Sequence, residues 1–176
     1  MTGEQAFTVL ILLVALERLA ELIISKRNVR WSLERGGIEF GRGLYPVMVV
    51  LHVGLLVGSL VEVHVADRAI IPALAVPMLL LVVAAQALRW WCIASLGPRW
   101  NTRVVIVPGL PRVHKGPYRW LTHPNYVAVV IEGFALPLVG SAWITALSFT
   151  ILNAALLTVR IRTEDAALSL LPASAT

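Results

Sequence analysis

One cysteine, Cys92, is all the chain contains, and it sits inside an apolar run. This excludes an internal disulfide framework and any multi-cysteine metal site. Charge is scarce as well, with 14% of the 176 residues Asp, Glu, Lys or Arg against 58% apolar, and a mean hydropathy of +0.80. A soluble domain is about half apolar and a quarter charged, so the composition points to a membrane. There is no G-x-G-x-x-G fingerprint, no His/Cys/Asp/Glu spacing suited to a metal, no internal repeat and no low-complexity linker. The amino-terminal residues lack the basic region and cleavage site of a signal peptide, so the first apolar run is expected to be kept as a span. Net charge is +5, but the basic residues fall in short segments between apolar runs and are not interleaved with aromatics. That pattern argues against nucleic acid and for loops retained on one side of a bilayer.

A spanning helix needs roughly 20 apolar residues. The first candidate runs from Ala6 to Ile24, followed by a basic loop from Lys26 to Arg42. Tyr45 and Pro46 open a second span to about Val61. Glu62, His64, Asp67 and Arg68 then read as a short connection on the opposite face. A third span runs from Pro72 to Leu88, with Trp90 and Trp91 as an interfacial belt and Arg89 snorkelling to the surface. A polar, basic stretch from Gly97 to Thr122 follows. Pro124 suits the first position of a fourth helix, short at 16 residues through Val139, and a fifth segment from Ala142 to Val159 returns to Arg160 and Arg162. The expected fold is therefore all-α: a polytopic integral membrane protein with about five transmembrane helices and a cytoplasmic cofactor-binding loop region. One membrane domain is expected over 1–176, with three spans in 1–96, the loop in 97–124, and a helix hairpin with a C-terminal helix in 125–171. Twelve of the fifteen Lys and Arg fall on one side of this arrangement. The positive-inside rule makes that side cytoplasmic and the amino terminus external, in a plasma (bacterial inner) membrane.

Two polar runs, GPYRWLTHPNY at Gly116–Tyr126 and RIRTED at Arg160–Asp165, flank the last two apolar segments. A helix hairpin between them returns both to the same membrane face. The helix start at His123 and Pro124 offers unpaired N–H groups that can hold an anion, and Gly116 and Tyr118 let backbone approach a ligand. An ordinary interfacial turn is the alternative. Arg160 and Glu164 lie four apart on one helical face, able to pair or to grip a substrate together. Glu132 stands nine residues into an apolar segment, about 13 Å along the axis. Asn125, Ala128 and Glu132 share a face there. Glu132 is thus a candidate acceptor subsite or general base, or a carboxyl kept neutral or paired with Arg18, Arg89 or another polar group within the bundle. Glu17 and Glu21 form a second such stripe, with pairing to Arg18 the expected outcome, while His52 and His64 have no supporting partners.

These motifs resemble the isoprenylcysteine carboxyl methyltransferase family of integral membrane enzymes. Its ordered Gly-x-Tyr, Arg-His-Pro-x-Tyr and Arg-Ile-x-x-Glu-Glu signatures correspond here to Gly116 and Tyr118, then Thr122, His123, Pro124 and Tyr126, then Arg160, Ile161, Glu164 and Asp165. Thr122 stands for the usual Arg and Asp165 for the second Glu. The resemblance implies S-adenosylmethionine as cofactor, held by Gly116, Tyr118, His123, Pro124 and Tyr126, with Arg160 and Glu164 bordering methyl transfer. It also implies a lipid-like acceptor entering from the bilayer, contacted by Asn125 and Glu132. ERLAELIISKRN, YPVMVVLH and HPNYVAVVIEGFALPL look like a bacterial branch associated with type III polyketide synthases, which methylates ring hydroxyls of alkylpyrones or alkylresorcinols. The expected activity is thus O-methyl transfer to such an acceptor, with a functional link to a polyketide synthase. A prenylcysteine carboxyl methyltransferase, an NADPH-dependent membrane reductase and a non-enzymatic lipid-binding protein are the alternatives.

Overall fold

A computed structural model of the chain describes residues 2–171; Met1 and residues 172–176, which the single-domain reading includes, lie outside the described residues. Five helices carry the structure: α1 Gly3–Leu33, α2 Leu44–Val65, α3 Pro72–Leu96, α4 Pro124–Val139 and α5 Trp143–Leu168. Two short strands, β1 Ile38–Phe40 and β2 Val104–Ile106, pair antiparallel with Ile38 opposite Ile106. Three of the helices, α2, α3 with its short extension to Arg99, and α5, are long and apolar enough to cross a membrane. The first helix carries Glu17, Arg18 and Glu21 within its apolar stretch, and α4 has only 16 residues. The five helices match the expected number of elements; three, not five, reach the length and polarity of an independent span.

Most helices overrun their expected ends. Thr2 and Gln5 form a reciprocal capping box that starts α1, which then continues nine residues beyond Ile24 through Lys26, Arg27 and Arg30. Those cations therefore ride on a helix. A stripe of polar residues, Glu21, Ser25, Asn28 and Ser32, lies buried along this helix at spacings of four, three and four. Likewise, α5 is one unbroken helix from Trp143 through Leu168, so Arg160 and Glu164 continue the apolar segment that precedes them.

Glu62 belongs to α2 and is buried, not exposed in a connection. Its carboxylate accepts from the backbone N–H of Ile144 at 3.1 Å and of Thr145 at 2.8 Å, and pairs with Arg68 at 3.0 Å. It thereby satisfies orphan donors at the start of α5, which has no side-chain cap of its own. At the same end of the bundle Phe7, Ile11, Val63, Val82, Leu136 and Val139 form the apolar core. Gly140 lets α4 turn there against Phe7 and Val63, where any Cβ would clash. Midway along the hairpin, a Cβ on Gly133 would stand 2.0 Å from the Phe149 ring. The two backbones approach closely because one side has no side chain.

The centre of the bundle is ionic. Arg89 does not snorkel: it is 4% exposed and donates to Glu132, which is 5% exposed. Arg18 lies 3.7 Å from Glu132 and 2.9 Å from Glu21, and Glu21 lies 3.7 Å from Arg89. Arg18 also donates to Gln86 at 2.7 Å. Two guanidinium groups and two carboxylates thus tie α1, α3 and α4 together, with Glu17 3.6 Å from Arg18 at the edge of the set. Removing one member of such a buried set strands its partner, whereas replacing a pair by apolar groups does not. Glu132→Ala is expected to destabilise the protein by about 3–5 kcal/mol, and the Arg89→Met/Glu132→Leu double variant to recover most of that loss. Thermal unfolding in detergent checks both.

Candidate active site

The hairpin returns His123 and Asp165 to one face. The imidazole Nε2 donates to Asp165 Oδ1 at 2.9 Å, and Nδ1 lies 3.8 Å from Glu164 Oε1. A carboxylate can only accept, so the contact with Asp165 fixes a proton on Nε2. The imidazole stacks on the Tyr126 ring with centroids 5.3 Å apart. Tyr126 follows His123 by three residues around the first turn of α4, which brings the two rings face to face.

Arg160 and Glu164 do not pair directly. The Tyr126 hydroxyl stands between them, accepting from Arg160 Nε at 2.9 Å and donating to Glu164. Arg160 is 6% exposed. Another of its nitrogens donates to the Thr102 carbonyl at 2.6 Å, and a third lies against Met48 Sδ. Its guanidinium thus anchors the stretch that leads into β2, while Glu164 remains half-exposed.

These groups border a cleft with about 1030 Å³ of empty space, open to solvent on one side. Its walls come from the loop between α3 and α4, from β2, and from the facing ends of α4 and α5. Tyr118, His123, Asn125, Tyr126, Arg160 and Glu164 all line it. Burial and the neighbouring Cys92 thiol push the Tyr118 phenol up from its ordinary value, so it stays a donor at neutral pH. Two buried polar atoms on this wall, Asn125 Oδ1 and Trp100 Nε1, have no hydrogen-bond partner among the described residues. One is an acceptor and the other a donor.

Gly116, Pro124 and Glu132 do not line the cleft. Gly116 has φ +59°, and a Cβ there would stand 2.0 Å from Ser95 Oγ, so it seats the loop against α3. Pro124 is fully buried at the first position of α4. The Glu132 carboxylate is held by Arg89 and Arg18. The polar face shared by Asn125 and Glu132 is therefore not a continuous lining.

Some organising residues were not singled out from the sequence. Asn28 donates to the carbonyls of Trp100 at 2.6 Å and Gly97 at 3.2 Å, and Ser25 bonds both the amide and the hydroxyl of Thr102. Together they clamp the loop's first turn onto α1. Their regular spacing was the available signal, hidden because the helix was expected to end at Ile24.

A second, almost wholly apolar groove opens beside the cleft. Val127, Val130 and Ile131 of α4 and Leu157 and Ile161 of α5 wall it, and Thr122, His123 and Tyr126 belong to both spaces. The isoprenylcysteine carboxyl methyltransferase family model matches residues 78–170, which carry every one of these cleft and groove motifs. The chain belongs to this family. Its members are membrane methyltransferases that use S-adenosylmethionine. This family member is 36% identical over 162 residues to the uncharacterized protein YpbQ of Bacillus subtilis (strain 168), covering 92% of this chain and 96% of that one. An uncharacterized protein of Haemophilus influenzae (strain ATCC 51907 / DSM 11121 / KW20 / Rd) is 26% identical over 153 residues, covering 86% and 88%. No solved structure matches it significantly.

Asn28→Ala removes both carbonyl contacts and is expected to cost about 1–3 kcal/mol. Faster hydrogen exchange confined to residues 97–106, with the hairpin unchanged, is the measurement that checks the clamp.

Proposed function

We propose that this protein transfers a methyl group from S-adenosylmethionine to an oxygen of a lipid-like acceptor at the cytoplasmic membrane interface. The observation that carries the reading is the shared boundary of the two spaces: a cleft of mixed lining that bears arginines and hydrogen-bonding side chains, and an almost wholly apolar groove, meet at His123 and Tyr126, beside the Glu164 carboxylate. A charged, soluble donor and an apolar acceptor with a polar head need such a junction.

The residues present fit the cofactor. Asn125 Oδ1 and Trp100 Nε1, both unpartnered, suit a ligand carrying donors and acceptors, and Arg103 on the cleft wall suits its carboxylate. Trp100, Tyr118 and Tyr126 offer aromatic surface for adenine and for the sulfonium charge. The bound cofactor supplies a methyl carbon that is already electrophilic. The protein's part is then placement and exclusion of water.

Glu164 is the candidate base. Half-exposed at the cleft, it can take the acceptor's proton as the oxygen attacks, and the Tyr126 hydroxyl holds it in place. Arg160 acts through Tyr126, since its Nε bond orients that hydroxyl, and a second bond pins Thr102. Asp165 fixes the His123 ring, keeping its stacked face against Tyr126.

For the acceptor we favour a ring hydroxyl of an alkylpyrone or alkylresorcinol, on the whole-chain likeness to the branch associated with type III polyketide synthases. A prenylcysteine carboxylate is the second reading, favoured by the family model itself. The two differ in the need for a base: a carboxylate acceptor is already ionised at neutral pH, whereas a resorcinol hydroxyl is not.

Glu164→Gln is expected to lower turnover on a resorcinol acceptor by about 10²–10⁴-fold while leaving S-adenosylmethionine binding within a few fold of wild type. Labelled cofactor, presented with alkylpyrone, alkylresorcinol and prenylcysteine acceptors, measures this. Saturable binding of NADPH in place of S-adenosylmethionine would instead identify a reductase, and binding of neither a lipid-binding protein.

A further inference from the structure

Beside the cofactor cleft, sharing Leu96, Arg99 and Leu110–Val113 with it, lies a second cleft whose charged lining is cationic throughout. Arg35, Arg99, Arg112 and Lys115 line it together with Trp31 and His114, and no carboxylate does so among the described residues. None of the four cations takes part in an ion pair among the described residues. The Arg35 guanidinium packs over the Trp31 ring at 4.3 Å, and Arg99 donates to the Pro111 carbonyl at 2.6 Å. Four guanidinium and ammonium groups gathered without a counterion repel one another, which marks the place for an anion.

Depth tells which anion. Ser95 and Leu96 form part of the wall, about 6–8 Å along α3 beyond the half-exposed Trp91. Trp91 meets Trp120, itself 69% exposed, edge to face with centroids 5.8 Å apart. Exposed indoles of this kind sit at the membrane-water boundary, so the cleft opens at headgroup level.

We propose that this cleft binds the phosphate of an anionic phospholipid headgroup. Arg35 and Arg112 provide planar forks for phosphate oxygens and Lys115 a point charge. The second consequence rests on the methyltransferase reading. Leu110–Val113 walls both clefts, so a phosphate that gathers Arg112 and Lys115 toward Arg35 and Arg99 steadies one side of the cofactor cleft. Anionic lipid then raises affinity for S-adenosylmethionine without touching it.

The full chain in lipid nanodiscs tests this. Discs of phosphatidylcholine, of phosphatidylcholine with phosphatidylglycerol, and of phosphatidylcholine with added inorganic phosphate are compared by native mass spectrometry of retained lipid and by calorimetry of cofactor binding. Wild type is expected to retain phosphatidylglycerol selectively and to bind S-adenosylmethionine about fivefold or more tightly in those discs. Arg35→Glu/Lys115→Glu, at two exposed positions, is expected to lose both effects, and Arg35→Gln/Lys115→Gln to weaken them. Arg162→Glu, an exposed cation elsewhere on the same face, is expected to keep the selective retention. Equal retention in the double variants, loss in Arg162→Glu as well, or saturation of the cleft by inorganic phosphate would overturn the lipid site. An unchanged cofactor affinity across discs would overturn the coupling. Absence of cofactor binding in every disc would count against the methyltransferase, while lipid retention would still decide the site.

Discussion

The bundle depends on a mutually paired set of four ionisable groups in a place where any one alone is costly. Arg18, Arg89, Glu21 and Glu132 come from three helices, and each is acceptable only while the others are present. Apolar helices in lipid lack a hydrophobic reason to choose one register over another, because lipid tails are as apolar as their own side chains. A mutual ionic lock supplies that choice. It sets the height of α4 against α1 and α3, and a slip by one residue would turn Glu132 away from Arg89 by about 100°.

The site inherits that registration. Glu132 lies two and a half turns from the start of α4, so fixing its carboxylate also fixes where His123 and Tyr126 emerge. The other half of the site is registered independently. Glu62 holds the first turn of α5 at the far end of the bundle, and the Gly133–Phe149 contact sets how closely α4 and α5 approach. Arg160 and Glu164 are then carried to the level of Tyr126 by the length of one continuous helix. Residues far from the cleft thereby determine whether a hydroxyl and a carboxylate meet.

Much of this was legible in the residues. The apolar runs gave the number of helices, and Pro124 and Gly140 marked both ends of the short one. The order of GPYRWLTHPNY and RIRTED anticipated that residues of both runs would border one cleft. The boundaries of α1, α2 and α5 were not legible, because a fall in hydropathy marks where a helix leaves the bilayer and says nothing of whether its backbone bonds continue. Lys26–Arg30, Glu62 and Arg160–Asp165 all lie on such continuations. The two strands escaped for another reason: three-residue segments such as Ile38–Phe40 pair only because α1, α5 and the loop bring them together. The position of Tyr126 between Arg160 and Glu164 also had no sequence signal, since helical spacing alone favours a direct pair.

Of the two departures from the family signature, one falls where the cleft and the groove are joined and the other contacts His123 beside that junction. Thr122 belongs to both spaces, and the guanidinium usual at that position would place a cation where the cleft meets the apolar groove. A short hydroxyl side chain keeps that passage neutral. At position 165 the carboxylate survives on a shorter stem, and its oxygen still reaches His123 Nε2 at 2.9 Å. The change at 122 thus alters what the junction admits, and the change at 165 leaves intact the contact that orients the imidazole. The junction thus lacks that cation while the imidazole keeps its orientation against Tyr126.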